Sequence, residues 1–220
     1  MKLRERFGVD DRQFRQLTHL MEFALVGMFF VGLERGHTGI LVNTAVALAV
    51  TQLVPVLERD VGIPMDPALT LWITAAVFLH SLGTVGIPGT DLDSFYRQVW
   101  WWDHMTHALS ASVVAAAGYA TARAVDLHSR DVVLPPRFMF VFILLLTIAF
   151  GVFWEVVEFS IAEVAALTGS TSVLTQYGLE DTLLDLVFNT IGAAVVATWG
   201  TAYLSGVVGA LRERLERRAG

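Results

Sequence analysis

Asp103, His104 and His107 stand in the run Trp100-Trp101-Trp102-Asp103-His104-Met105-Thr106-His107, just before the uncharged stretch Ala108–Ala122. On a helix of 3.6 residues per turn the three ionisable groups fall within about 100° of one another, and Asp103 and His107 are only about 40° apart. Two later hydrophobic segments repeat the arrangement. Glu155 and Glu158 are an i,i+3 pair, about 60° apart, and Asp181, Asp185 and Asn189 are successive i,i+4 steps that span about 80°.

Carboxylate oxygens together with an imidazole nitrogen suit zinc, manganese, iron or magnesium. Paired ligands on several helices are how metal sites inside helical bundles are assembled. Such a metal activates water for attack on an ester or phosphate, with a spare carboxylate as general base. The expected ligands of a divalent ion (Zn, Mn or Fe) are Asp103, His107, Glu155, Asp181, Asp185 and His80. Glu158 is the expected base, and Asn189 is expected to orient a ligand or substrate oxygen.

The elements that must position these groups are membrane helices. The chain of 220 residues is 55% hydrophobic and only 16% charged, whereas a soluble domain is nearer about a quarter charged. Mean hydropathy is +0.58. The apolar residues are bunched into runs long enough to cross a hydrocarbon layer of roughly 30 Å. A formal net charge of -6 gives no reason to expect a nucleic-acid partner. The absence of cysteine excludes disulfides, thiolate ligands and a cysteine nucleophile. No small-residue cleavage site follows the first apolar run, which is expected to be retained.

Six spans are predicted: 17–33, 39–57, 69–85, 101–124, 137–161 and 180–204. They are separated by polar turns that carry Pro64, Pro67, Pro135 and Pro136, or Ser, Thr and Gly. The fold class is therefore all-α, a polytopic integral-membrane helical bundle. Residues 1–16 form a basic N-terminal segment, 17–207 the transmembrane domain, and 208–220 a basic amphipathic tail. The fourth and sixth spans are rich in small residues, including Gly192, which allow close helix contact in lipid.

Thirteen of the fifteen Lys and Arg residues fall on the side that holds both termini and the 2–3 and 4–5 connections; Arg35 and Arg97 fall on the other. This bias places both termini in the cytoplasm of a multi-pass protein of the cell membrane. In that orientation His80, the 103–107 cluster, Glu155, Glu158, Asp181 and Asp185 all lie toward the outer face. A carboxylate within the membrane costs roughly 2.5–3.5 kcal/mol or more on insertion scales. Bound metal, shared protons or a water-filled cavity must therefore compensate.

Simpler roles stand beside these. A lone histidine such as His80 in an apolar helix more often bonds between helices than ligates a metal. His104 ranks behind His107, because it fits an interfacial position beside the Trp100–Trp102 belt. Glu180 fits a solvated helix N-terminus. His19 and Glu22 fit the cytoplasmic interface, and Glu163 the outer headgroup region.

The pattern D-x-x-x-H at Asp103–His107, E-x-x-E at Glu155–Glu158 and D-x-x-x-D-x-x-x-N-x-x-G from Asp181 to Gly192 resembles the YjdF-like family of bacterial and archaeal inner-membrane proteins. More distantly it is similar to the VanZ-like membrane proteins linked to glycopeptide-antibiotic resistance. The resemblance runs from about His80 to Gly192 and implies the same residue set without implying a reaction. Two positions depart from it: Glu158 stands where the relatives often have Gln, and His104 where they often have Lys or Arg.

Three functional classes follow. The first is a metal-dependent hydrolase or transferase acting on a lipid or lipid-linked small molecule, with membrane lipids as surroundings. The second is an ion- or proton-coupled transporter. The third is a non-catalytic protein that captures an envelope ligand or confers resistance.

Overall fold

The computed structural model describes residues 10–86, 93–170, 172–174 and 177–219, with only the backbone described for 201–203, 218 and 219. The first nine residues of the expected N-terminal segment and Asp91 of the 3–4 connection lie outside the described residues. All regular structure among the described residues is helical: α1 (Asp11–Arg35), α2 (Thr38–Arg59), α3 (Pro67–Gly83), α4 (Phe95–Gln98), α5 (Trp102–His128), α6 (Pro136–Thr168), α7 (Leu179–Tyr203) and α8 (Ser205–Ala219). Helices α1, α2, α5, α6 and α7 are long and apolar enough to cross a membrane, and α3 is a shorter apolar helix. This is a polytopic helical membrane protein.

The helix ends follow from local chemistry. Asp10 caps α1 through a reciprocal box with Gln13. The helix therefore begins within the segment expected to lie outside the first span. At its other end Gly36 takes φ 61°, a left-handed conformation in which a side chain would be strained. Asp66 caps α3, with Pro67 at the first helical position where no N–H is needed. Helix α6 opens at Pro136 and runs to Thr168, beyond the predicted end at 161, where left-handed Gly169 stops it. Glu163 lies on this extension and is exposed.

The chain divides into two compact units, Met1–Asp60 with Met65–Val99, and Val61–Pro64 with Trp100–Gly220. In the first, α1, α2 and α3 pack on one another and α4 packs on α3. Leu25, Met28 and Ala47 form its buried apolar centre. In the second, α5 and α7 share the most extensive contact, α6 packs on both, and α8 packs on α5 and α7.

In the second unit large apolar side chains are exposed along α6 and α7, and small residues are buried where the helices meet. Phe150, Phe153, Val156 and Phe159 of α6 and Leu183, Val187, Ile191 and Trp199 of α7 are exposed, whereas Ala111, Ala115, Ala116 and Ala193 are buried. That is the pattern expected where lipid is the solvent and helices associate by close packing. Gly192 sits so close to α5 that an added Cβ would lie 2.1 Å from the Ala108 carbonyl oxygen. The two helices meet there backbone to backbone.

The basic tail is less separate than its sequence suggests. Helix α8 starts at Ser205, Leu204 and Val208 are buried, and the Arg214 guanidinium donates a 2.7 Å hydrogen bond to the Val61 carbonyl. At the same end of the bundle Asp126 pairs with Arg123 and accepts the Leu134 N–H, tying down the turn into α6.

Candidate metal centre

The site forms where the first turns of α5 and α7 meet the later part of α6. Successive helices of this unit run in opposite senses, so these three segments share one end of it. Tight packing at Gly192 brings α5 against α7. Moving two turns back along α7 reaches Asp185, and one turn back along α5 reaches His104. A second close approach fixes α6: a Cβ on Gly151 would lie 2.6 Å from Asn189 Nδ2 of α7. Glu155 stands one turn beyond Gly151.

Asp185 is only 1% exposed. Its Oδ1 accepts from His104 Nδ1 at 3.2 Å, and its Oδ2 lies 3.7 Å from His107 Nε2. His107 Nε2 is also 3.4 Å from Asp103 Oδ1. One ligand atom from each of Asp103, His107 and Asp185 lies within 4.8 Å of the others. Ligands about 2.0–2.1 Å from a tetrahedral zinc are separated by about 3.3 Å, so the two shorter separations need little change to enclose an ion.

Glu155 is buried, and its Oε2 accepts a 2.8 Å hydrogen bond from Thr182 Oγ1. Glu158, also buried, accepts from the Trp154 indole N–H through Oε1, again at 2.8 Å. Asp181 is half-buried and accepts the Tyr177 backbone N–H at 3.2 Å. Asp103, Glu155, Glu158, Asp181 and Asp185 are close enough to act on one another electrostatically. Helix dipoles offset part of this negative charge, since Asp103 lies in the first turn of α5 and Glu180 and Asp181 in that of α7. No Lys or Arg lies in the stretches of sequence that carry these carboxylates. The chain has none from 98 to 122 or from 138 to 211.

Of the residues expected to be ligands, the structure brings Asp103, His107 and Asp185 into one group. Glu155 and Asp181 border it, each bonded to a different partner. His80 belongs to the first unit and makes a different network. Asn43 Nδ2 donates to the Gly39 carbonyl, leaving Asn43 Oδ1 to accept from His80 Nε2 at 3.1 Å. His80 Nδ1 then accepts from the Tyr96 hydroxyl at 2.8 Å. A neutral imidazole bonded through both nitrogens offers no lone pair to a metal, so these contacts replace the expected ligation by a link between α2, α3 and α4.

His104 is the largest departure from the sequence reading. It is buried rather than interfacial, and its ring stacks on Phe188 with centroids 4.8 Å apart and planes 5° apart. Thr182 and Trp154 also escaped the sequence reading. Their signals were present: Trp154 precedes Glu158 by one turn, and Thr182, Asp185 and Asn189 form an i,i+3,i+7 stripe. Nothing in those spacings distinguishes a polar partner from an ordinary helix-face residue.

Comparison with known proteins adds a family and no activity. The sequence model of a family described as "Predicted membrane protein (DUF2238)" matches residues 17–206. A protein of Thermotoga maritima described as "Uncharacterized protein" is 30% identical over 127 residues, covering 58% of this chain and 58% of the relative. No solved structure matches.

Proposed function

The chain belongs to the DUF2238 family of predicted membrane proteins, and from that premise we propose that its second unit is a divalent-metal site serving a hydrolase or transferase of lipid-linked esters or phosphates. The observation that carries the reading is the convergence of Asp103, His107 and Asp185 within 4.8 Å. Two carboxylates and one imidazole favour zinc, manganese or iron, since calcium takes six to eight oxygen ligands. Three protein ligands also match the number at catalytic zinc sites, where a further position stays open.

Bound there, the ion supplies Lewis acidity to a phosphoryl or carbonyl oxygen. Glu158, held by Trp154, is the base that takes a proton from the attacking water or hydroxyl. Asn189, buried beside Gly151, orients a ligand or substrate oxygen. Glu155 and Asp181 complete the negative rim. The excess of Lys and Arg on the side of the termini supports an orientation with both termini in the cytoplasm. The site then opens toward the outer leaflet of the cell membrane. Kinship with YjdF-like proteins, and further off with VanZ-like proteins, is part of the same reading.

A second reading, ion- or proton-coupled transport, is favoured by one observation: both imidazoles already pair with carboxylates. Against it, polar groups on the described buried faces away from the site are scattered, Ser112 and Tyr119 on α5 and Thr147 on α6 among Ala115, Ala120, Ala124, Met139, Ile143, Ala193 and Val196. These faces offer few groups for a path to the other side.

The test is metal analysis by mass spectrometry of the detergent-purified protein beside the Asp103→Asn/Asp185→Asn double variant. About one equivalent of transition metal in the wild type, lost from the variant, supports the site and directs a screen of lipid phosphates and esters. No metal in the wild type after reconstitution with zinc, manganese and iron overturns the reading and puts proton-linked transport first.

A further inference from the structure

Asp185 sits between two histidines that approach different oxygens. His107 Nε2 lies 3.7 Å from Oδ2, on the side shared with Asp103, while His104 Nδ1 lies 3.2 Å from Oδ1. His104 has little freedom to leave. Its side chain is buried, it bonds Asp185, and its ring lies flat on Phe188, three residues further along α7. The single N–H on Nδ1 is thus aimed by two contacts with the same helix.

We propose that His104 is a positioning residue for the metal centre: by occupying Oδ1 it restricts Asp185 to ligation through Oδ2, and so selects a transition metal over calcium. This inference rests on the metal reading given above and adds a basis for the choice of ion. A carboxylate free to turn can give both oxygens to one cation, as calcium sites commonly require, whereas four-coordinate zinc needs only one. Neighbours that hydrogen-bond a ligand typically contribute 10–100-fold to metal affinity by holding its orientation. His107 cannot fill this role, because its Nε2 lies between Asp103 and Asp185 and is itself the nitrogen offered to the ion.

The experiment titrates the full-length detergent-purified protein with zinc and, separately, with calcium. The variants are His104→Phe, His104→Asn and His104→Gln. Phe keeps a ring to stack on Phe188 without the N–H. Asn places an amide nitrogen near the Nδ1 position, and Gln places one near Nε2. Wild-type protein is expected to prefer zinc. His104→Phe should lose about 10–100-fold in zinc affinity with calcium affinity retained, so that the zinc-to-calcium ratio falls at least about tenfold. His104→Asn should stay within about threefold of wild type and His104→Gln should behave like His104→Phe, both through the position of the restored N–H.

Unchanged zinc binding in His104→Phe overturns the inference, as does a parallel loss of zinc and calcium that His104→Asn does not rescue. Should His104→Phe not fold, the contrast between Asn and Gln decides alone, and equal behaviour of the two overturns it. Wild-type protein that binds no zinc is a separate result: it removes the metal reading itself.

Discussion

His104 and Asp185 are 81 residues apart in the chain, yet their side chains meet at 3.2 Å in the buried interior of the second unit. The contact depends on α5 and α7 approaching at Gly192, and each partner sits where an isolated charge would be expensive. Substituting Asp185→Ala should leave His104 without its acceptor and remove the carboxylate beside His107. Complete loss of metal and a lower thermal midpoint in detergent are expected, read by metal analysis and a thermal-shift assay.

Gly192 should tolerate no side chain. A Cβ would lie 2.1 Å from a main-chain oxygen, so one of the two helices must move. Overpacking of this kind costs about 1–3 kcal/mol. Gly192→Ala should lower the thermal midpoint and metal content together, and Gly192→Val should do so more strongly. Gly209, with nothing within 4 Å of its added Cβ, is the control: Gly209→Ala should match wild type or exceed it slightly.

Thr182 holds Glu155 by one hydrogen bond of 2.8 Å. Thr182→Val keeps the shape and removes the hydroxyl, so the buried carboxylate loses a donor at a cost of about 1–3 kcal/mol. Thr182→Ser should lie nearer wild type, because it retains the donor. Equal midpoints for the Val and Ser variants would show that the hydroxyl contributes nothing to stability.

Glu158 and the ion should separate experimentally. Glu158 lies outside the group Asp103, His107 and Asp185, so Glu158→Gln is expected to keep its full metal content while losing turnover of any lipid substrate found in the screen. General-base catalysis contributes about 10²–10⁴-fold, which sets the size of the loss. Trp154→Phe, which removes the indole N–H bonded to Glu158 together with part of the ring, should give a smaller loss of the same kind.

The orientation can be read by chemical labelling, because the chain has no cysteine of its own. Asp93→Cys should react with a membrane-impermeant maleimide in intact spheroplasts. Arg130→Cys should react only after the membrane is opened. The reverse pattern would place the candidate metal centre on the cytoplasmic side and exclude an outer-leaflet substrate.

The membrane class, the helices and the motif residues follow from composition and period alone. Uninterrupted apolar runs have one stable outcome in lipid, since every backbone polar group must be satisfied within its own helix. Alternation of direction between successive helices then places the start of α5, the later part of α6 and the start of α7 at one end of the second unit. That is why Asp103, His107, Glu155, Asp181 and Asp185 could be grouped before any contact was known.

Which faces meet, and how closely, was decided only by tertiary packing. Membrane depth put His80 among the acidic residues as a possible ligand, but bonds to Asn43 and Tyr96 occupy both its nitrogens. The tryptophan belt put His104 at an interface, but close packing around Gly192 turned it inward onto Asp185 and Phe188. The boundary of the first span moved as well, because the Asp10–Gln13 cap starts α1 inside a segment whose charges read as surface. The physical reason is common to the two histidines, whereas the helix start is set by the local cap. A helical period fixes the angle of a side chain about its own axis, whereas its partner depends on where small residues let neighbouring backbones approach.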